Sequence, residues 1–138
     1  MPVSRRRVEG ARVARLATVG ADARPHLVPI CFAVEGGVLY SAVDRKPKRS
    51  RTLRRLENVR ANPRVTVLVD HYDDDWTQLW WVRLDGEARI LTQGAEREHA
   101  LRLLARKYPQ YASATPNGPV LAIEIEQWRD WEHGHSRP

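Results

Sequence analysis

The sequence predicts a small, mainly antiparallel β-barrel with a few helices, and three observations carry that expectation. Short apolar runs rich in β-branched residues recur along the chain: Val13 to Val19, His26 to Val34, Val38 to Val43, Val65 to Val69, Leu79 to Leu91 and Val120 to Ile125. Turn-forming stretches separate them, notably Gly20-Ala21-Asp22-Ala23-Arg24-Pro25 and Glu35-Gly36-Gly37. Helical spacing is confined to few segments. A succession of short strands with few helices favours closure into a small barrel.

Taken in order, Ser4 to Arg12 is basic and polar and reads as a short N-terminal helix. The runs Val13–Val19, His26–Val34 and Val38–Val43 are expected to form an antiparallel meander, with a hairpin at Gly36-Gly37. Ser50 is the expected N-cap of a helix whose apolar positions Leu53, Leu56 and Val59 recur at helical spacing, and Pro63 ends it. Val65 to Val69 follows as a strand. Leu79 to Leu91 is expected to be a long strand with a bulge at Asp85-Gly86, because glycine inside a strand marks such a break. Gln93 to Lys107 is the clearest amphipathic helix, with Ala100, Leu101, Leu103 and Leu104 facing inward. Val120 to Ile125 makes the last strand, followed by a tail, Trp128-Arg129-Asp130-Trp131.

At 138 residues the chain is expected to form one domain spanning residues 1–138. Apolar content of 42% and charged content of 29% describe a soluble globular protein. No apolar run is long enough to cross a bilayer, and the first residues lack the apolar stretch of a signal peptide. Cys31 is alone, so no internal disulfide is possible, and a reducing cytoplasm is the expected compartment. A net charge of +6 and a pI near 10.1 favour anionic partners. The aromatic residues cluster away from the basic loop in sequence, which argues against single-stranded nucleic acid.

The segment from Tyr40 to Val65 points most directly to function. A strand runs into Asp44-Arg45-Lys46-Pro47-Lys48-Arg49-Ser50, and a basic helix follows. Lys46 and Lys48 flank a φ-locking proline just ahead of a helix N-terminus, an arrangement suited to a phosphate. Arg51, Arg54 and Arg55 extend the same basic face, and their plainer role is to keep the helix solvated. Asp70 to Asp75 lacks the glycine and distal glutamate of a calcium loop, so no metal site is expected. His26 is expected to point outward from its strand. No nucleophile elbow, phosphate-binding glycine loop or acid–base pair stands out, and the sequence assigns no catalytic residue.

Four stretches, in their order and spacing, carry a resemblance over nearly the whole chain: 17–25 (Ala-Thr-Val-Gly-Ala-Asp-Ala-Arg-Pro), Leu39-Tyr40-Ser41, Lys46-Pro47-Lys48-Arg49-Ser50 and Asn62-Pro63-Arg64-Val65-Thr66. The pattern resembles the pyridoxamine 5′-phosphate oxidase-like split-barrel family of flavin and deazaflavin proteins. Asp70-His71-Tyr72-Asp73-Asp74-Asp75-Trp76 and Leu79-Trp80-Trp81-Val82-Arg83 are similar to its coenzyme F420-dependent subgroup. The resemblance implies a homodimeric split β-barrel with the cofactor in a groove between subunits. Backbone groups of Val28, Pro29, Ile30 and Cys31 would line the ring system, with Tyr40 and Ser41 near the phosphate end. Lys46, Lys48 and Arg49 would bind the phosphate. Trp81, five residues before Gly86, matches a position where the flavin enzymes often carry a glutamine from the partner subunit, so an aromatic there departs from the FMN-oxidase pattern. Trp81 or Trp131 would stack on the cofactor or shape the substrate slot. The C-terminal Trp-to-Arg pattern that holds pyridoxal phosphate in the true oxidases has no counterpart at the right spacing, so vitamin B6 oxidation is not implied.

The implied activity is hydride transfer between F420 and a small unsaturated substrate, with Tyr40 and His26 as candidate proton donors. An FMN-binding oxidase or reductase on the same fold is the second expectation. A non-catalytic carrier or sensor of flavin or haem is the third.

Overall fold

The structure, a computed structural model, describes residues 2–43 and 49–134, with backbone alone for residues 49–53. Its helices are α1 (Val3–Gly10), α2 (Arg49–Ala61), α3 (Ala95–Lys107) and α4 (Pro109–Ser113). Its strands are β1 (Ala14–Val19), β2 (Pro25–Ile30), β3 (Ala33–Glu35), β4 (Val38–Ala42), β5 (Arg64–His71), β6 (Trp80–Leu91) and β7 (Val120–Glu132). All seven strands form one antiparallel sheet in the order β2-β1-β5-β6-β7-β4-β3. This is the split barrel that the sequence led us to expect.

The expected meander does not form. The run from His26 to Val34 divides at Cys31-Phe32: its first part pairs with β1 and its second part pairs with β4. Those two pairings lie at opposite ends of the sheet order, so the chain itself, not a hydrogen-bond ladder, links the two edges. Tyr108 holds this crossing in place. Its hydroxyl accepts the Phe32 N–H at 3.0 Å and lies 3.0 Å from the Arg12 carbonyl and 3.1 Å from that of Phe32. A buried break in a ladder leaves backbone groups that need partners, and one phenol supplies them.

Alternation sorts the side chains. Val65, Val67 and Val69 of β5 and Val82 and Leu84 of β6 are buried, and with Leu16, Phe32, Leu39 and Ile123 they form the barrel interior. α1 adds Val8 to this cluster, and α2 adds Leu56 and Val59. A second cluster covers the outside of β3, β4 and β7, where α3 sets Ala100, Leu101 and Leu104 against Tyr40, Ala42 and Ala122. Leu103, expected to face inward, is only partly buried.

The bulge expected at Asp85-Gly86 is present as a register shift between β6 and β7. The hairpin at Gly36-Gly37 is also present, with Gly36 at φ 61°, a conformation that favours glycine. The last strand is longer than expected: what reads as a tail continues β7 to Glu132, because β6 offers pairing partners along its whole length. α2 begins at Arg49, one residue ahead of the expected cap Ser50, whose side chain lies outside the described residues. α2 is pinned to β1 by a buried Asn58 Nδ2–Thr18 Oγ1 hydrogen bond of 3.0 Å. Its close approach is possible because Gly20 lacks a side chain where the Asn58 side chain lies.

A candidate anion and ring-binding site

β4 delivers the chain into the basic loop, and α2 receives it. Lys46 and Lys48 fall outside the described residues, as does the side chain of Arg49. The structure does describe the junction of α2 with β2. His26 is half-buried and shares the inward alternation of Val28 and Ile30, which corrects the expectation that it points outward. Its pKa is lowered by burial first, then by the guanidiniums of Arg55 and Arg54 on α2. His26 Nδ1 is buried with no hydrogen-bond partner, and so is Arg55 Nε. Burial also lowers the pKa of Arg55, against a smaller opposing influence from Tyr111 on α4. Two desolvated nitrogens, unpartnered among the described residues, and an exposed Arg54 therefore come together where α2 meets β2. Buried polar nitrogens are normally satisfied, so this arrangement, which no described residue satisfies, suits an anion.

The other expected site residues distribute as follows. β2 is an edge strand paired only with β1 among the described residues, so part of its backbone from Val28 to Ile30 faces away from the sheet. Pro29 has no N–H to donate, and edge strands are where such residues are tolerated. The Cys31 carbonyl accepts a 2.8 Å hydrogen bond from Ser41 Oγ, which joins the β2–β3 crossing to β4 and leaves Ser41 almost wholly buried. The Tyr40 hydroxyl donates to Glu96 Oε2 at 2.9 Å. Glu96 also takes both terminal nitrogens of Arg89, which in turn pairs with Glu124. Burial and Glu96 push the Tyr40 pKa up to about 12. The hydrogen bonds from Arg89 are the largest influence lowering Glu96 to about 2. A phenol held this way is a poor proton donor at neutral pH, so Tyr40 serves to fasten β4 to α3.

Pro29, Trp81 and Trp131 lie on the outer face of β2, β1, β5, β6 and β7, away from α3, and Trp131 borders a cavity of about 240 Å³ that it shares with Val3, Ser4 and Arg7 of α1. Register orders this face into rows. Trp131 stands opposite Trp81, and Trp81 opposite Asp70. The next row is Arg129, Arg83, Leu68, Arg15 and Pro29. The third contains Gln127, Asp85, Thr66, Ala17 and Leu27, of which Leu27 is 66% exposed. A groove of about 460 Å³ opens around Ala17, Thr66, Asp85 and Gly86. Trp80 and Trp128 instead pack on the barrel interior, with Arg7 5.0 Å above the Trp80 ring. Trp76 is 64% exposed and packs in neither cluster.

Among the described residues no three His, Cys, Asp or Glu side chains gather as a metal site, and no helix is long and apolar enough to cross a membrane.

The comparisons agree with this architecture. The family model described as pyridoxamine 5′-phosphate oxidase matches residues 2–132, and the chain belongs to that family. A FAD-binding protein from Mesorhizobium loti is 25% identical, with 94% of each chain covered and a TM-score of 0.70. A conserved hypothetical protein from Mycobacterium tuberculosis is 23% identical over 97% of this chain and 86% of its own, at a TM-score of 0.71. The heme storage protein HutZ from Vibrio cholerae is 16% identical over 91% of this chain and 88% of its own, at a TM-score of 0.68. No curated protein matches the chain.

Proposed function

We propose that this chain is an F420-dependent oxidoreductase that passes hydride between the deazaflavin and a small unsaturated substrate, working as a homodimer with the cofactor between two barrels. The observation that carries this reading is the approach of Arg54 and Arg55 of α2 to His26, with His26 Nδ1 and Arg55 Nε both buried and unpartnered among the described residues. Lys46, Lys48 and Arg49 would take the phosphate, with His26, Arg54 and Arg55 extending the positive surface along the phosphorylated side chain. The free edge of β2, from Val28 to Cys31, would present backbone groups to the ring, with Ser41 holding Cys31 in place. Once bound, the cofactor supplies the hydride chemistry, and the protein supplies position and field. The uncovered outer face around Leu27, at the β2 end of the sheet, would meet the second copy.

FMN is the second reading, favoured by the Mesorhizobium loti FAD-binding relative. A non-catalytic carrier would bind flavin or haem without turnover. The deciding experiment is titration of the purified protein with F420, FMN and haemin in turn, followed by intrinsic tryptophan fluorescence. Saturable quenching by F420 at lower concentration than the other two is expected. Tight FMN or haemin with no F420 response would remove the deazaflavin reading.

The site also implies a pH dependence. His26 has its pKa lowered below the usual 6.5 in the free protein, and a bound anion beside it would raise it again. A group whose pKa rises on binding takes up a proton, so affinity strengthens as pH falls. F420 affinity is therefore expected to increase from about pH 7.5 to about 5.5, and His26→Gln should flatten the slope. The phosphodiester of F420 does not titrate in this range, so a flat native profile would place His26 outside the site.

A further inference from the structure

The outer face carries a second constellation that the cofactor site does not use. Arg83 and Arg129 stand directly opposite each other on β6 and β7, and side chains so paired project from the same face. Like charges placed that way repel, so the pair costs stability unless something compensates it. The protein compensates only one of the two. Arg83 Nε forms a 3.5 Å ion pair with Asp85 Oδ2 but makes no hydrogen bond among the described residues. Arg129 donates only to the neutral Gln127 Oε1, at 3.3 Å, with no carboxylate in salt-bridge reach among the described residues. The neighbouring row holds Trp81 opposite Trp131, and the two indoles are not stacked on each other. Trp131 is 37% exposed. Rows on one face of a strand are spaced by roughly 7 Å. That is close to the separation of ring and carboxylate in a conjugated aromatic acid.

We infer that the Arg83–Arg129 pair and the Trp81–Trp131 pair together form a binding site for a planar conjugated carboxylate, its ring against the indoles and its carboxylate between the guanidiniums. Two opposed guanidiniums offer forked donors to one carboxylate, which cancels their mutual repulsion. An indole face accepts a flat ring at little conformational cost. The site stands on β6 and β7, separated by β1 and β5 from the β2 edge, and does not depend on the cofactor reading. Binding itself can be measured without added cofactor.

The test uses trans-cinnamate as probe and its neutral isostere cinnamamide as control, followed by tryptophan fluorescence and by chemical shifts of the indole N–H groups. Cinnamate is expected to bind at least about tenfold more tightly than the amide, with shifts at Trp81 and Trp131. Arg129→Gln and, separately, Arg83→Gln should each abolish that preference; Arg129→Gln should leave the melting temperature unchanged or higher, since it relieves the repulsion, whereas Arg83→Gln also gives up the Asp85 ion pair and should leave it within a few degrees. Equal affinity for acid and amide, no binding of either, or a preference that survives both substitutions would overturn the site. The F420 titration reads the cofactor separately, so a failure here and a failure there are distinguishable.

Discussion

Gly86→Ala should be among the most destabilising single substitutions in this chain, lowering stability by about 3 kcal/mol. The reason is not backbone conformation, since Gly86 is absent from the positive-φ residues. It is proximity. A Cβ on Gly86 would run into the Glu124 carbonyl oxygen and would stand 3.0 Å from the Glu124 carbonyl carbon and 3.1 Å from Ile123 Cγ2. The first two obstacles are backbone of β7, so no rotamer change relieves them. The bulge at Asp85/Gly86 lies where β6 changes register on β7, and both strands also carry the outer-face rows described above. Relief would require β7 to move, and with it Trp131 and Arg129. A chain of this size loses about 10 °C of melting temperature for such a change. Thermal unfolding followed by circular dichroism measures it directly. A shift of one or two degrees would mean that the two strands separate locally at little cost. Gly37, where nothing lies within 4 Å of an added Cβ, is the control, and Gly37→Ala should be nearly silent.

Why some of this was legible in the sequence and some was not follows from what one-dimensional patterns encode. The bulge was visible because Asp85-Gly86 interrupts an otherwise continuous apolar alternation. α3 was visible because Ala100, Leu101 and Leu104 recur at helical spacing whatever lies around them. The division of His26–Val34 was not visible. Alternation tells which face a residue takes, and nothing in it specifies which neighbour a strand chooses. The partner that stabilises the break, Tyr108, lies 76 positions from Phe32. The end of β7 was missed for a related reason. Trp128-Arg129-Asp130-Trp131 mixes strand-favouring tryptophans with a strand-averse aspartate and two charges, and is extended because β6 is there to pair with it. Of the proposed site, the basic run Lys46-Pro47-Lys48 is legible locally in the sequence. The pairing of His26 with Arg55 is not, because β2 and α2 meet only in the folded chain, and burial turns two ordinary surface residue types into nitrogens unpartnered among the described residues. A mid-helix arginine among apolar positions was the one signal that could have been read: Arg55 directly precedes the buried Leu56.

Arg55→Met is expected to move stability and binding in opposite directions. In the free protein the guanidinium is partly desolvated, with Nε unpartnered, and burial lowers its pKa. A methionine of similar length keeps the packing and removes the unsatisfied nitrogen, so stability should rise by about 1 kcal/mol. The anionic cofactor would lose a charge-assisted contact, and its affinity should fall about thirtyfold, equivalent to roughly 2 kcal/mol. A purely structural arginine predicts the reverse pairing, a less stable protein whose residual folded fraction binds normally. Urea unfolding and F420 titration on the same preparation separate the two. Arg55→Lys restores the charge but not the fork, and should recover only part of the affinity. Arg54→Met, at an exposed position on the same helix, should weaken binding several-fold at low salt and hardly at all at high salt. That contrast tests the central physical idea: affinity for the phosphorylated cofactor comes from cations the fold has already stripped of water, and screening reaches only those it has left in solvent. If both substitutions respond equally to salt, Arg55 acts from the surface, and the buried nitrogens between β2 and α2 have some other partner.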